Sequence, residues 1–289
     1  MFGIVYVILF GAALSSAAEP ASADLLRNEL VSQAKQFSMG DELKSWYLQV
    51  LSDDAFPIDE KQMRAALTDK SSDKELAKRQ LVYQMAMLFR WRQDPAKLVA
   101  FCDQLPYAPR ASLAMLLDIR FKSFVAPAHA PIFLRLISDT ITMADDAAVP
   151  RAERDSSLER ARHFIRMGAG CDRKAITERA TKEIQNHVVS DQVRVNLMFE
   201  LVSVGGPDAI PLADWYWDTY CVRAFETKVL MDYFKANLDE AAYQNRIQRK
   251  RPVLIETMNV LAGRKTLTTE MLWPATQPAT RPTTRDNQP

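Results

Sequence analysis

Apolar side chains recur every three to four positions along most of this chain, the spacing of one face of an α-helix. Over 73–92, Leu81, Met85 and Leu88 form one stripe, and Val82 and Phe89 widen it, so this helix should be packed on more than one side. Over 150–167 the stripe is Leu158, Ala161 and Ile165, with Arg151, Glu153, Arg154, Asp155, Arg160 and Arg162 covering the rest. Over 222–238, Val222, Phe225 and Val229 lead into Leu230, Tyr233, Phe234 and Leu238. Strand-like alternation is not sustained anywhere. The pattern predicts about twelve helices of roughly 9–20 residues, joined by short loops.

The polar residues between these stripes carry helix-start chemistry. Asp59 precedes Gln62 by three positions, Ser72-Asp73-Lys74-Glu75 reads as a capping box, and Asp94-Pro95 puts a carboxylate at the N-cap with proline behind it. Pro150, Asp172 and Gly206-Pro207-Asp208 mark further starts, while Gly40, Gly168 and Gly263 fall where helices are expected to end. The expected fold class is all-α. Its expected architecture is an irregular helical-hairpin solenoid or right-handed helical array, although no fixed repeat period is present, which leaves an irregular bundle open. One helical domain should span 24–272, with a soft boundary near 143–151 (MADDAAVPR).

The two ends differ from this body. Met1 to Ala18 carry no charge, Glu19 is the first charged side chain, and small residues follow at Ala21-Ser22-Ala23. Residues 1–23 therefore read as an export signal cleaved after Ala23 or Ala18, which places the chain in the periplasm or outside the cell. The alternative is an uncleaved anchor, with residues 1–18 holding the chain in the membrane. After Trp273 the chain repeats proline at Pro274, Pro278 and Pro282 with threonine two residues later and no large apolar residue to bury, so a disordered, extended tail is expected over 273–289.

Composition removes several functions. Eight glycines occur, and none lies between Asp41 and Met167, which excludes glycine-rich phosphate loops and dinucleotide fingerprints from that stretch and argues against tight hairpins. A net charge of +1 offers no basic field for nucleic acid. The three histidines, His129, His163 and His187, have no metal-binding spacing, and His187 reads as a cation at a helix end. Cys102, Cys171 and Cys221 allow one disulfide in any of three pairings, or three buried thiols. Asp53-Asp54, Asp145-Asp146 and Glu200 are catalytic candidates by residue type only, since aspartates at loops and helix ends serve turns as well. No cofactor and no metal are expected.

Two segments remain as candidate surfaces. Trp215, Tyr216, Trp217 and Tyr220 place four aromatic rings in six residues, and on a helix Trp215 and Trp217 lie about 200° apart, so one large ring can meet solvent or a partner. On this reading Trp217→Ala weakens partner binding without unfolding the chain. Arg246, Arg249, Lys250 and Arg251 precede Pro252, at a helix end that favours cations, and form a basic patch that could also meet anionic lipid. The expected function is that of an exported, non-catalytic interaction or scaffold module with a protein partner. The alternative is an envelope enzyme or glycan or small-ligand binder with a groove near 214–220. Membrane contact is expected only if residues 1–18 are retained.

Overall fold

The computed structural model describes residues 23–36, 38–71, 73–186, 190–220 and 224–249, together with Asn259 and Gly263. Residues 1–22 of the expected export signal and the whole of the expected tail at 273–289 therefore lie outside the described residues. The fold is all-α: among the described residues there is no strand, and there are twelve α-helices. They are α1 (Ala23–Gln36), α2 (Asp41–Ser52), α3 (Glu60–Thr68), α4 (Lys74–Arg90), α5 (Pro95–Asp103), α6 (Tyr107–Arg120), α7 (Ala130–Asp145), α8 (Arg151–Asn186), α9 (Asp191–Gly205), α10 (Ile210–Thr219), α11 (Ala224–Asn237) and α12 (Glu240–Arg249). Among the described residues no helix is long and apolar enough to cross a membrane.

The described chain divides into two compact units. The first takes residues up to 93 and 119–124, and the second takes 94–118 and the residues from 125 onward. Segment 143–151 lies inside the second unit, at the turn from α7 to α8, where the Asp146 carboxylate accepts the Ala148 N–H at 2.8 Å.

In the first unit, α1 packs on α2, and α2 and α3 pack on α4. Asp59 caps α3 by accepting the Gln62 N–H at 3.0 Å, and Asp73 caps α4 by accepting the Glu75 N–H at 3.0 Å. The side chain that caps α4 is thus Asp73. Every residue of α4 from Val82 to Phe89 is buried, which is what its broad apolar face implied.

In the second unit each helix from α7 to α11 packs on its successor, and α9 also reaches α7 and α11. Asp94 opens α5 by accepting the Lys97 N–H at 3.1 Å. At 36 residues, α8 exceeds the expected length, but its backbone breaks at Asp172 (φ −146°, ψ 93°). There the Asp172 carboxylate accepts the Ala175 N–H at 3.0 Å, starting a second arm at the position where the sequence offered a cap. The two arms are 151–171 and 173–186.

Two glycines do different work from that expected. Gly40 opens α2 as its N-cap instead of closing α1. Gly168 does not end a helix; it lies within the first arm of α8, where a Cβ would come within 2.9 Å of the Phe133 Cβ and 2.6 Å of the Ile176 Cδ1. It is there for close helix packing.

Candidate functional site

α10 carries the aromatic cluster, and the fold splits that cluster in two. Tyr216 and Trp217 are core residues, 1% and 0% exposed. The Trp217 ring meets Phe234 of α11 edge-on, with centroids 5.5 Å apart, and the Tyr216 hydroxyl donates to Glu226 at 2.7 Å. Of the four candidate binding residues, Tyr216 and Trp217 are therefore corrected to core: they face inward because α9 and α11 both pack on α10. Trp215 and Tyr220 stay half-buried, with their rings 5.1 Å apart in an edge-to-face arrangement. Arg194 of α9 lays its guanidinium over the Tyr220 ring at 4.3 Å and donates to Asp191 at 2.7 Å. Sequence reading missed Arg194. The Asp191–Arg194 spacing was visible as a one-turn ion pair, but nothing in the sequence joins position 194 to position 220.

The basic run meets the same helix. Arg246 of α12 binds Asp214 of α10 with two parallel hydrogen bonds, both 2.6 Å, a bidentate geometry that raises the Arg246 pKa above its ordinary value through the hydrogen bond to Asp214. Arg249 is shared between Asp214 at 3.7 Å and Asp218 at 3.5 Å. Arg246 is thus held on α10, while Arg249 stays exposed beside it. Lys250 and Arg251 lie outside the described residues. Two segments chosen separately from the sequence thus meet at α10: Trp215 and Tyr220 pack on each other with Arg194 of α9 over Tyr220, and Asp214 and Asp218 bind Arg246 and Arg249 of α12.

The remaining candidates have structural roles. His129 is buried, its Nδ1 accepts the Ala126 N–H at 3.0 Å, and burial lowers its pKa below the ordinary histidine value. His187 lies outside the described residues, and His163 is half-buried on α8. Asp53 accepts the Ala55 N–H at 2.8 Å, Asp54 meets Arg27 at 3.3 Å, and Asp145 accepts the Ser190 N–H at 2.9 Å. Glu200, only 4% exposed at its side chain, is clamped by Arg162 at 3.1 Å and by Arg166 at 2.5 and 2.7 Å. Asp53 thus caps a turn, Asp54 joins an ion pair, Asp145 ties the end of α7 to the start of α9, and Glu200 ties α9 to α8. Among the described residues no group of three or more His, Cys, Asp or Glu is placed to hold a metal ion. No protein-family model matches the chain, and neither a curated protein nor a solved structure matches it.

Cys102 and Cys171 are free and buried, and burial pushes both thiols up to about 12. Cys221 lies outside the described residues. A thiol needs its thiolate to react, so both buried groups should be inert to Ellman's reagent at neutral pH until the chain is denatured. Peptide mapping of the labelled residues checks this, and labelling of either one in the native protein at the rate of a free thiol would contradict the burial.

Proposed function

We propose that this protein is an exported, non-catalytic helical module that binds a protein partner through Trp215 and Tyr220. The observation that carries the reading is the half-buried Trp215–Tyr220 pair. Tyr220 is held by Arg194, and the helix beneath it is fixed by the Asp214–Arg246 bond. Binding surfaces draw most of their energy from a few Trp, Tyr and Arg side chains, and anchors already fixed in place lose little entropy on binding. Export rests on residues 1–23; retained, the same apolar run would tether the module to a membrane.

The arrangement favours binding over hydrolysis. The carboxylates on the same helix, Asp214 and Asp218, and Asp191 beside Tyr220 are each engaged by a guanidinium group. The test is affinity capture from envelope extract with the full chain and with the Trp215→Ala/Tyr220→Ala variant, after circular dichroism has shown equal helicity. A protein retained in stoichiometric amount by the parent and lost by the variant is the expected result. Equal retention by both would overturn the reading. Quenching of tryptophan fluorescence by soluble oligosaccharide, lost in the same variant, would replace the protein partner with a glycan.

A further inference from the structure

α12 is held to the second unit by different means from the helices before it. None of its ten residues is buried, whereas every other helix of that unit places side chains in the core. One side of α12, formed by Ala242, Tyr243, Arg246 and Ile247, is half-buried, and the rest is exposed. A helix shorter than about 12 residues is marginal on its own in water, so α12 depends on its ties to the body.

Those ties are charged. Arg246 makes its paired hydrogen bonds to Asp214 of α10, and its guanidinium lies 5.2 Å from the centre of the Phe234 ring of α11. Arg249 adds longer contacts to Asp214 and Asp218. Arg246 keeps 18% of its side chain exposed and Asp214 keeps 30%, so salt and a competing guanidinium can reach the pair. The surface beneath does not need α12 to hold its shape. Trp217 against Phe234 and the Tyr216–Glu226 hydrogen bond already join α10 to α11. α12 also carries its own cap, because Asp239 accepts the Ala242 N–H at 2.8 Å.

We propose that the face of α10 and α11 bearing Asp214, Asp218 and Phe234 is a docking site for an arginine-bearing helix of a protein partner, and that α12 is its built-in, displaceable occupant. Two carboxylates on one helix, one turn apart, and an aromatic ring beside them match guanidinium groups in charge and shape. Tethered through Leu238 and Asp239, α12 competes at an effective concentration on the order of millimolar, so it keeps weak cationic helices out and yields to strong ones. The proposal does not require that Trp215 and Tyr220 bind anything, and either reading can fail alone.

Release is tested by hydrogen exchange on the full chain at low and high sodium chloride. Amides of 240–249 should exchange faster as salt rises, while α10 and α11 keep their protection. Exchange at 240–249 that is independent of salt, or that rises only together with α10 and α11, would overturn the strap. Docking is tested with a fluorescent synthetic peptide of the 239–249 sequence, titrated by anisotropy against the parent and the Arg246→Gln/Arg249→Gln variant. The variant, whose own α12 competes poorly, should bind the peptide about tenfold or more tightly than the parent, and adding Asp214→Asn should remove that gain. Absent binding, equal binding by parent and variant, or binding that Asp214→Asn leaves unchanged would overturn the site. A concentration-dependent dimer of the parent at high salt, abolished by Asp214→Asn, would overturn the choice of partner in favour of α12 from a second copy.

Discussion

Trp217→Ala is expected to destabilise the fold by about 3–5 kcal/mol, the usual cost of emptying a large aromatic site in a packed core. Trp217 has no solvent exposure and packs edge-on against Phe234, so alanine leaves a cavity between α10 and α11. Its indole N–H has no hydrogen-bond partner, so Trp217→Phe, which keeps a ring in the space, should cost much less. Urea denaturation of the two variants measures both effects. A Trp217→Ala chain with the parent's midpoint and weaker partner binding would restore the surface role that the sequence suggested.

Glu200→Ala should have the next largest effect, about 2–3 kcal/mol. Breaking a buried ion pair commonly costs roughly 3–5 kcal/mol. Here the cost falls below that range because the two guanidiniums left behind can recover water: Arg162 is 29% exposed at its side chain and Arg166 50%. Arg166→Ala should cost about 1 kcal/mol or less, since Arg162 still serves the carboxylate. The asymmetry is the diagnostic result. Equal losses from the two variants in urea denaturation would mean that the charge of Glu200 is not the element that joins α8 to α9.

Much of the fold was legible because its signals are local. Asp59, Asp73, Asp94 and Asp172 each cap a helix through a backbone N–H two or three residues away, so the information sits within one turn of sequence. The all-round burial of α4 from Val82 to Phe89 followed from the width of its apolar face. Gly168 was misread because a glycine that ends a helix and a glycine that admits a neighbouring side chain look alike until the neighbour, here Phe133, is placed. The candidate site was only half legible. The 200° between Trp215 and Trp217 requires that they face different ways but does not say which ring is inside. That choice comes from α9 and α11, and the pairing of Arg246 with Asp214, 32 residues apart, comes from the packing of the chain.

The order in which the second unit packs bears on how it forms. From α7 to α12 each helix packs on the one that follows it, and the farthest-reaching partners, α7 with α9 and α9 with α11, are separated by a single helix. A topology of this kind has low contact order, so little loop-closure entropy is spent before contacts begin to reward it. Growth from the ribosome suits it equally well: each helix can dock on its predecessor as it emerges, without waiting for a distant strand or a closing terminus.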